Sequence, residues 1–428
     1  MLINANALAI PLANKSVHCI VTSPPYYGLR DYGTAKWEGG DPECEHTISM
    51  PTKWNDPKRG YDVLRPEVAN RGGDARYCHL CGAVRIDEQI GLEQTPDEYI
   101  ANLVAVFREC KRILRDDGTL WVNIGDSYAR DPAKVGNGHP STGKQATNKG
   151  SLYDYQSPIP SGLKPKDLIG IPWMLAFALR ADGWYLRQDI IWAKPNPMPE
   201  SVKDRCTKSH EYIFLLSKSA RYYYDNEAVK EESIEPIRAR EKNNGESAVD
   251  TKMRGYDGNC GNTGTRNKRD VWTVTTKPYK GAHYATFNPE LIKPCILAGA
   301  PETCCAKCGA PYERIIERDR KARNELAKDD PRYRPNTYHG SYENINGKGD
   351  AGYTFTQTLG FEPTCDCNAG TSSGIVFDPF VGSGTTVATA IQLGRQGIGI
   401  DLSFKYLYEN AKLRVASAEL PLLNYIEQ

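Results

Sequence analysis

The sequence predicts an α/β fold: a largely parallel sheet with helices on both faces, interrupted by polar insertions. Two observations predict it. Short β-branched runs alternate with apolar residues at helical spacing, the pattern of strand–helix–strand units. Between these units lie long stretches rich in Gly, Pro, Asn and charge, with little periodicity. The chain has 428 residues, 39% hydrophobic and 25% charged, enough for a folded core. A mean hydropathy of -0.57 suits a core broken by polar segments. No apolar run approaches the roughly 20 residues that cross a bilayer. The N-terminus lacks a basic, signal-like opening, so a cytoplasmic protein with no membrane partner is expected. A net charge of +1 neither demands nor forbids nucleic acid, because only a binding face has to be basic.

Taken in order, the N-terminal segment reads as helix or loop. Residues 17–22 follow as a strand, stopped abruptly by Pro24 and Pro25. Residues 38–86 read as an insertion. Thr95, Pro96, Asp97 and Glu98 open a helix well, as N-cap, N1 and first-turn acids. Tyr99, Leu103, Val106, Phe107, Cys110 and Leu114 continue it at helical spacing, and Asp116-Asp117-Gly118 is expected to end it. Residues 119–124 are then a strand, and 130–166 a loop. An apolar helix over 171–181 precedes strands at 185–192 and 212–216, with a proline-rich loop between them. Residues 226–270 and 315–360 carry few large apolar groups and are expected to be polar insertions. The last unit reads as a strand at 374–377, a glycine turn at 378–385, a helix at 386–393, a strand at 397–400 and a helix at 404–416.

Two motifs carry chemistry. The first is the turn Asp378-Pro379-Phe380-Val381-Gly382-Ser383-Gly384-Thr385. Glycines between a strand and a helix let backbone approach a ligand closely. Asp401, ending the next strand, is placed to accept from ribose hydroxyls, so a nucleoside cofactor is implied. The turn lacks the lysine of a P-loop, and position 387 is Val where a dinucleotide fingerprint needs a third glycine. A carboxylate beside the turn suits a ligand with an ammonium group; S-adenosylmethionine carries one, and a sulfonium. The second motif is Ser23-Pro24-Pro25-Tyr26. An exocyclic base amine is a poor nucleophile because its lone pair is conjugated into the ring. The Ser23 hydroxyl and the Pro24 carbonyl can accept from such an NH2 and free that lone pair. Tyr26 can stack on a base held out of its helix, worth about 1–3 kcal/mol.

Together these motifs resemble the amino-methyltransferases of DNA. Their order along the chain, catalytic motif before cofactor motif, is similar to the β group of that family. The resemblance implies a Rossmann-like S-adenosylmethionine-dependent sheet, double-stranded DNA as substrate, and direct methyl transfer to a flipped base. It implies that Ser23–Tyr26 are catalytic. It also implies that Asp378, Pro379, Phe380, Gly382, Ser383, Gly384, Thr385 and Asp401 bind the cofactor. Asp126, after the 119–124 strand, resembles a residue near the ligand. The segment containing Arg269-Asp270-Val271-Trp272 and later Thr286-Phe287 resembles one that closes over the methionine end. There the family often has Phe-Pro; this chain has Phe287-Asn288. The stretch from Trp192 to Pro199, and His210-Glu211, resemble segments flanking the target-base pocket. Read without the resemblance, Trp192, Trp272 and Phe287 are core residues, His210 is a structural histidine, and Lys194 contacts phosphate or solvent.

A leading Ser in the tetrapeptide is more common among cytosine-N4 enzymes and a leading Asp among adenine-N6 enzymes, so N4 of cytosine is the expected target and N6 of adenine the alternative. Transfer would not require a cognate restriction endonuclease. A C5-cytosine enzyme needs a Pro-Cys nucleophile after the cofactor motif; Pro294-Cys295 precedes it, in an apparent helix. A zinc-containing DNA-binding protein without catalysis would show a damaged motif, and a nicotinamide oxidoreductase would need the third glycine.

The thirteen cysteines point to metal rather than disulfides in a cytoplasmic chain. Cys78-x-x-Cys81-Gly82 and Cys305-x-x-Cys308-Gly309 are two matching knuckles. Cys44 with His46, and Cys365 with Cys367, are plausible partners for two closed, structural zinc sites. Pairing across the sites, or Cys304 in place of Cys305, stays open. The expected organisation is a methyltransferase domain in three parts (1–43, 87–225 and 371–428), zinc insertions at 44–86 and 301–370, and a cofactor-closing segment at 271–300. The 226–270 segment, with the zinc insertions, is the candidate for target recognition.

Overall fold

The structure, a computed structural model, describes residues 1–28, 36–46, 55–56, 61–62, 77–78, 80–86, 89–93, 95–129, 162–232, 265–277, 288–321, 327–329, 333 and 353–418. Its centre is an eight-stranded sheet. The strands are β1 (Leu2–Asn4), β2 (Val17–Thr22), β3 (Leu114–Ile124), β4 (Tyr185–Ala193), β5 (His210–Ser217), β6 (Val271–Thr273), β7 (Ile375–Asp378) and β8 (Gln396–Asp401). Their spatial order is β1-β8-β7-β2-β3-β5-β4-β6. β5 runs antiparallel to both β3 and β4, and the other neighbouring pairs are parallel. The chain's last two strands therefore slot between its first two. The expected mostly parallel sheet is present.

The central strands alternate between two cores. Ile20, Leu120, Val122, Ile124, Phe214 and Leu216 face one cluster, while Cys19, Val21, Trp121, Ile213 and Leu215 face the other. Side chains alternate across a strand, so β2, β3 and β5 are covered on both faces. The first face carries α1 (Pro96–Ile113) and α2 (Ile171–Ala181); the second carries α3 (Pro289–Gly299) and α4 (Thr385–Gln392). α1 forms as the sequence predicts. Thr95 Oγ1 accepts from the Glu98 amide at 3.2 Å, and Glu98 returns the bond to the Thr95 amide at 3.3 Å, a reciprocal cap. Tyr99, Leu103, Val106, Phe107, Cys110 and Ile113 along it are buried; each large one contributes about 1.5–3 kcal/mol.

Several expectations are corrected. α1 stops at Ile113, and Leu114 already has extended backbone and begins β3. Asp116-Asp117-Gly118 lies inside that strand as an irregularity: Val17 pairs with Leu114 but Cys19 pairs with Thr119. Two extra short strands cap the sheet edges, at β1 and β6. The 315–360 region, expected to be a featureless insertion, contains an antiparallel pair, Glu313–Lys321 with Tyr353–Glu362. The C-terminal helix begins at Phe404 but widens into a π turn over Leu407–Ala411 before continuing to residue 418. Most of 226–270 and 130–166 lies outside the described residues. No helix among the described residues is long and apolar enough to cross a membrane.

Candidate active site

β2 and β7 are adjacent parallel strands, so their carboxyl ends open on the same rim. Thr22, the last residue of β2, donates from Oγ1 to Asp378 Oδ1 at 2.6 Å; Asp378 is the last residue of β7. The Thr386 hydroxyl binds Oδ2 at 2.6 Å, and the Phe380 amide reaches Oδ1 at 3.0 Å. Asp378 is 2% exposed. Burial pushes its carboxyl up to about 6, against the lowering effect of these donors. The Ser23 tetrapeptide follows Thr22 directly. The glycine turn follows Asp378 directly. One hydrogen bond therefore joins two motifs that lie 356 positions apart.

The glycine turn is built as its sequence requires. Gly382 and Gly384 have φ of +48° and +80°, where a side chain is strained. A Cβ on Gly384 would stand 3.2 Å from Ala411, which the π turn brings against it. Asp401 Oδ2 accepts from the Gly382 amide at 3.1 Å and Oδ1 from the Ser403 amide at 2.9 Å. Burial raises its carboxyl from the ordinary value. Ser383 and Thr385 are buried, and Arg414 donates to both hydroxyls. Pro379 is also buried. Asp126, expected beside the cofactor, lies past the end of β3. Its carboxylate accepts from the amides of Gly170 and Ile171 at 3.0 Å each, so it caps α2. Thr286 and Phe287 lie outside the described residues.

The tetrapeptide forms the neighbouring part of the rim. The Pro25 carbonyl accepts from Tyr99 at 2.7 Å. Among the described residues no donor engages the Pro24 carbonyl, whose own backbone nitrogen is a proline's. The Tyr26 hydroxyl donates to Glu211 Oε2 at 2.7 Å and bonds Ser23. Burial first, then the Glu211 charge, push the Tyr26 phenol well above its ordinary range, so it stays a neutral donor. Asn123 Nδ2 donates to the Tyr212 carbonyl at 3.1 Å and to Glu211 at 3.3 Å. Lys194 pairs with the other Glu211 oxygen and stands 4.3 Å over the Trp192 ring. Lys194 is thus a partner of Glu211 rather than a free phosphate contact. A Cβ on Gly125 would meet the Tyr26 ring at 2.8 Å, so glycine there lets the ring approach the β3 terminus closely. Glu211, Asn123 and Lys194 come from β5, β3 and the end of β4. Sequence had marked only the segments containing Lys194 and Glu211, never this network.

Trp192 and Trp272 are buried and donate to the Val274 and Arg269 carbonyls, as core residues do. His210 is half-buried, edge-on to Tyr212. Cys295 is fully buried in α3, and burial holds its thiol well above the ordinary value. That disposes of it as a nucleophile, since the thiolate is the reactive form.

Seven of the cysteines, with His46, form two quartets. Cys44, His46, Cys78 and Cys81 bring their ligand atoms within 4.8 Å of one another, and so do Cys305, Cys308, Cys365 and Cys367. Cys304 is buried beside the second quartet and is outside it. Both knuckles make the same turn. The Gly82 amide donates to Cys78 O and the Gly309 amide to Cys305 O, each at 2.9 Å. Cys78 N then donates to Ala83 O at 2.8 Å and Cys305 N to Ala310 O at 2.9 Å. Both glycines sit in the left-handed region, at φ +78° and +70°. Four soft or borderline donors this close, with no carboxylate in either group among the described residues, fit a tetrahedral zinc ion.

A mostly parallel sheet whose carboxyl rim joins a glycine turn, an acid-ended neighbouring strand and a double-proline tetrapeptide defines an S-adenosylmethionine-dependent methyltransferase acting on DNA. The comparisons make the assignment specific: the chain belongs to the N6/N4 DNA methylase family, whose model matches residues 17–303 and 368–412. It is 45% identical over 288 residues to the Type II methyltransferase M.Cfr9I of Citrobacter freundii, covering 67% of each chain. It is 42% identical to M.SmaI of Serratia marcescens, covering 68% of this chain and 70% of that one. Among solved structures, the cytosine-N4-specific PvuII DNA methyltransferase aligns over 99% of this chain and 92% of its own, at 11% identity and a TM-score of 0.44.

Proposed function

We propose that the chain methylates N4 of cytosine in double-stranded DNA, on a base turned out of the helix. The observation that carries this reading is the Thr22–Asp378 bond, which sets the tetrapeptide and the cofactor turn side by side on one rim. S-adenosylmethionine supplies an electrophilic methyl on sulfonium. Asp401 is suited to its ribose hydroxyls, and the turn from Asp378 to Thr385 to its methionine end. Thr286 and Phe287 are assigned to the segment closing over it. The Ser23 hydroxyl and Pro24 carbonyl accept from the target amine, which holds its lone pair toward the methyl. Tyr26, anchored through Glu211, stacks on the base. Ser23 and Pro24 would hold the amine nitrogen in line with the sulfonium methyl, so that transfer would break the carbon–sulfur bond as the carbon–nitrogen bond forms, with the amine proton passing to water. No covalent enzyme intermediate is needed, and positioning supplies most of the rate.

The leading Ser of the tetrapeptide favours cytosine over adenine. The two quartets are assigned as structural zinc sites that close the polar insertions at 44–86 and 301–370, which are too hydrophilic to build a core of their own. The test is to treat unmethylated plasmid DNA with enzyme and S-adenosylmethionine, digest it to nucleosides, and weigh them. N4-methylcytosine supports the proposal; N6-methyladenine replaces it with the adenine reading. Modified-base sequencing of the same DNA gives the recognition sequence.

A further inference from the structure

The two quartets are tethered at opposite ends of β2, and the difference assigns them different work. The second lies at the amino end. His18, on β2, is 2.8 Å from the Gly309 carbonyl through Nε2 and accepts the Ile375 amide of β7 at 3.0 Å through Nδ1. Arg115 donates to the Cys308 carbonyl at 2.6 Å. This knuckle is therefore bolted to the base of the catalytic strands, away from the rim.

The first quartet lies in the insertion that leaves and rejoins the chain at the rim. The chain leaves the tetrapeptide at Gly28 and returns at Gly91, and the Gly28 amide donates to the Gly91 carbonyl at 2.8 Å. This neck lies on the tetrapeptide itself. Gly91 has φ +105°, and a Cβ there would stand 3.1 Å from Tyr26 O and 3.5 Å from Pro25 Cβ. Beyond the neck, Lys36–Glu38 pairs with Val84–Ile86. The quartet is then held by close contacts. A Cβ on Gly40 would meet Cys81 Sγ at 2.7 Å, and the Trp37 and His46 rings are 5.1 Å apart. Gly91 comes ten positions after Cys81, so at about 3.3–3.6 Å per position the knuckle is no more than ~36 Å from the neck. That bound keeps the knuckle within about one turn of B-DNA from the rim. At its tip Leu80 is 65% exposed, and Tyr77 beside it is 47% exposed. The second knuckle has Ala306 and Lys307 between its cysteines instead.

We infer that the first quartet is a metal-stapled element that engages the substrate duplex beside the everted base, with Leu80 making apolar contact to base edges in a groove. A duplex whose base enters the Ser23–Tyr26 pocket must pass over the rim from which this insertion is pinned. A leucine exposed to water on a small polar module has a natural partner in a thymine methyl or an opened base step. The inference rests on the methyltransferase and zinc readings given above.

The test uses the full chain in three forms: wild type, Leu80→Ser, and Cys44→Ser with Cys81→Ser. Each is measured for zinc by elemental analysis, S-adenosylmethionine affinity by calorimetry, and methylation kinetics on unmethylated plasmid. Wild type should hold two zinc ions. The cysteine variant should hold one, keep its cofactor affinity within about twofold, and raise KM for DNA about tenfold or more with a smaller change in kcat. Leu80→Ser should keep both metals and raise KM for DNA severalfold, and it covers the case in which the cysteine variant does not fold. Unchanged KM and site preference in Leu80→Ser overturn the proposal, as does a wild type with no metal in the first quartet. Two zinc ions with no methylated base in wild-type digests overturn the functional reading beneath it.

Discussion

At the scale of single residues, the site depends on groups whose hydrogen bonds are fixed before any ligand arrives. Changing Ser23 or Tyr26 to Ala should abolish methylation, a fall of at least about 10²-fold for lost positioning. Cofactor affinity should be unchanged, because neither side chain belongs to the glycine turn; calorimetry beside a turnover assay tests both halves. Replacing Lys194 by Met leaves Glu211 facing Tyr26 with its cation removed. Both partners are largely buried, at 17% and 15% exposure, so the loss should cost about 3 kcal/mol, read as a shift in the urea midpoint. Asp378 gives a pH prediction. Its folded value is about 6, above the ordinary 3.8. A group raised on folding favours the native state below its unfolded pKa, and that contribution disappears as pH rises through the folded one. Between pH 4 and 7 the wild type should therefore lose stability relative to Asp378→Asn, by up to about 3 kcal/mol. Urea titrations of both proteins at half-unit steps measure the gap; a gap that is flat or widens the other way refutes the assignment.

At the scale of elements, the fold was legible wherever one segment carries its own signal. α1 could be read because its cap, its first-turn acids and its apolar stripe are all local. The glycine turn and the tetrapeptide are contiguous, so they could be read too. The start of β3 could not. Arg115-Asp116-Asp117-Gly118 looks like a helix terminator, and only pairing against β2 absorbs those residues as an irregularity in a strand. The pair Glu313–Lys321 with Tyr353–Glu362 was invisible for another reason. Its described side chains are mostly exposed, so no buried face imposes a period-two pattern. β1 and β6 are three residues each, too short for periodicity to register. The Glu211 network escaped because its members meet only when β3, β4 and β5 are side by side. Element-level tests follow. Thr95→Ala should cost about 1 kcal/mol through the lost cap, seen as a lower melting temperature with unchanged cofactor affinity. Gly384→Ala should weaken cofactor binding, since it strains the turn and pushes on Ala411.

At the scale of the whole molecule, the polar insertions are tied to the sheet at defined points, and the second quartet's knuckle is one of these ties. Replacing Cys305 and Cys308 by Ser should lower the melting temperature of the entire domain by about 5 °C or more. His18 and Arg115 join that knuckle directly to β2 and β3, so loosening it should not stay local. Scanning calorimetry of the variant checks this, and a low-temperature transition confined to part of the heat, with the main transition unmoved, would contradict it.

The strand order β1-β8-β7-β2 has a consequence for synthesis. Emerging from a ribosome, the polypeptide presents β2 and its tetrapeptide early, while the strands proposed to seat the methyl donor are still being translated. Until β7 and β8 insert, the nascent sheet has a gap between β1 and β2. A polypeptide truncated before Ile375 keeps Ser23 through Tyr26 yet lacks the turn and the Asp401 carboxylate proposed to hold the donor, so incomplete products should be inactive.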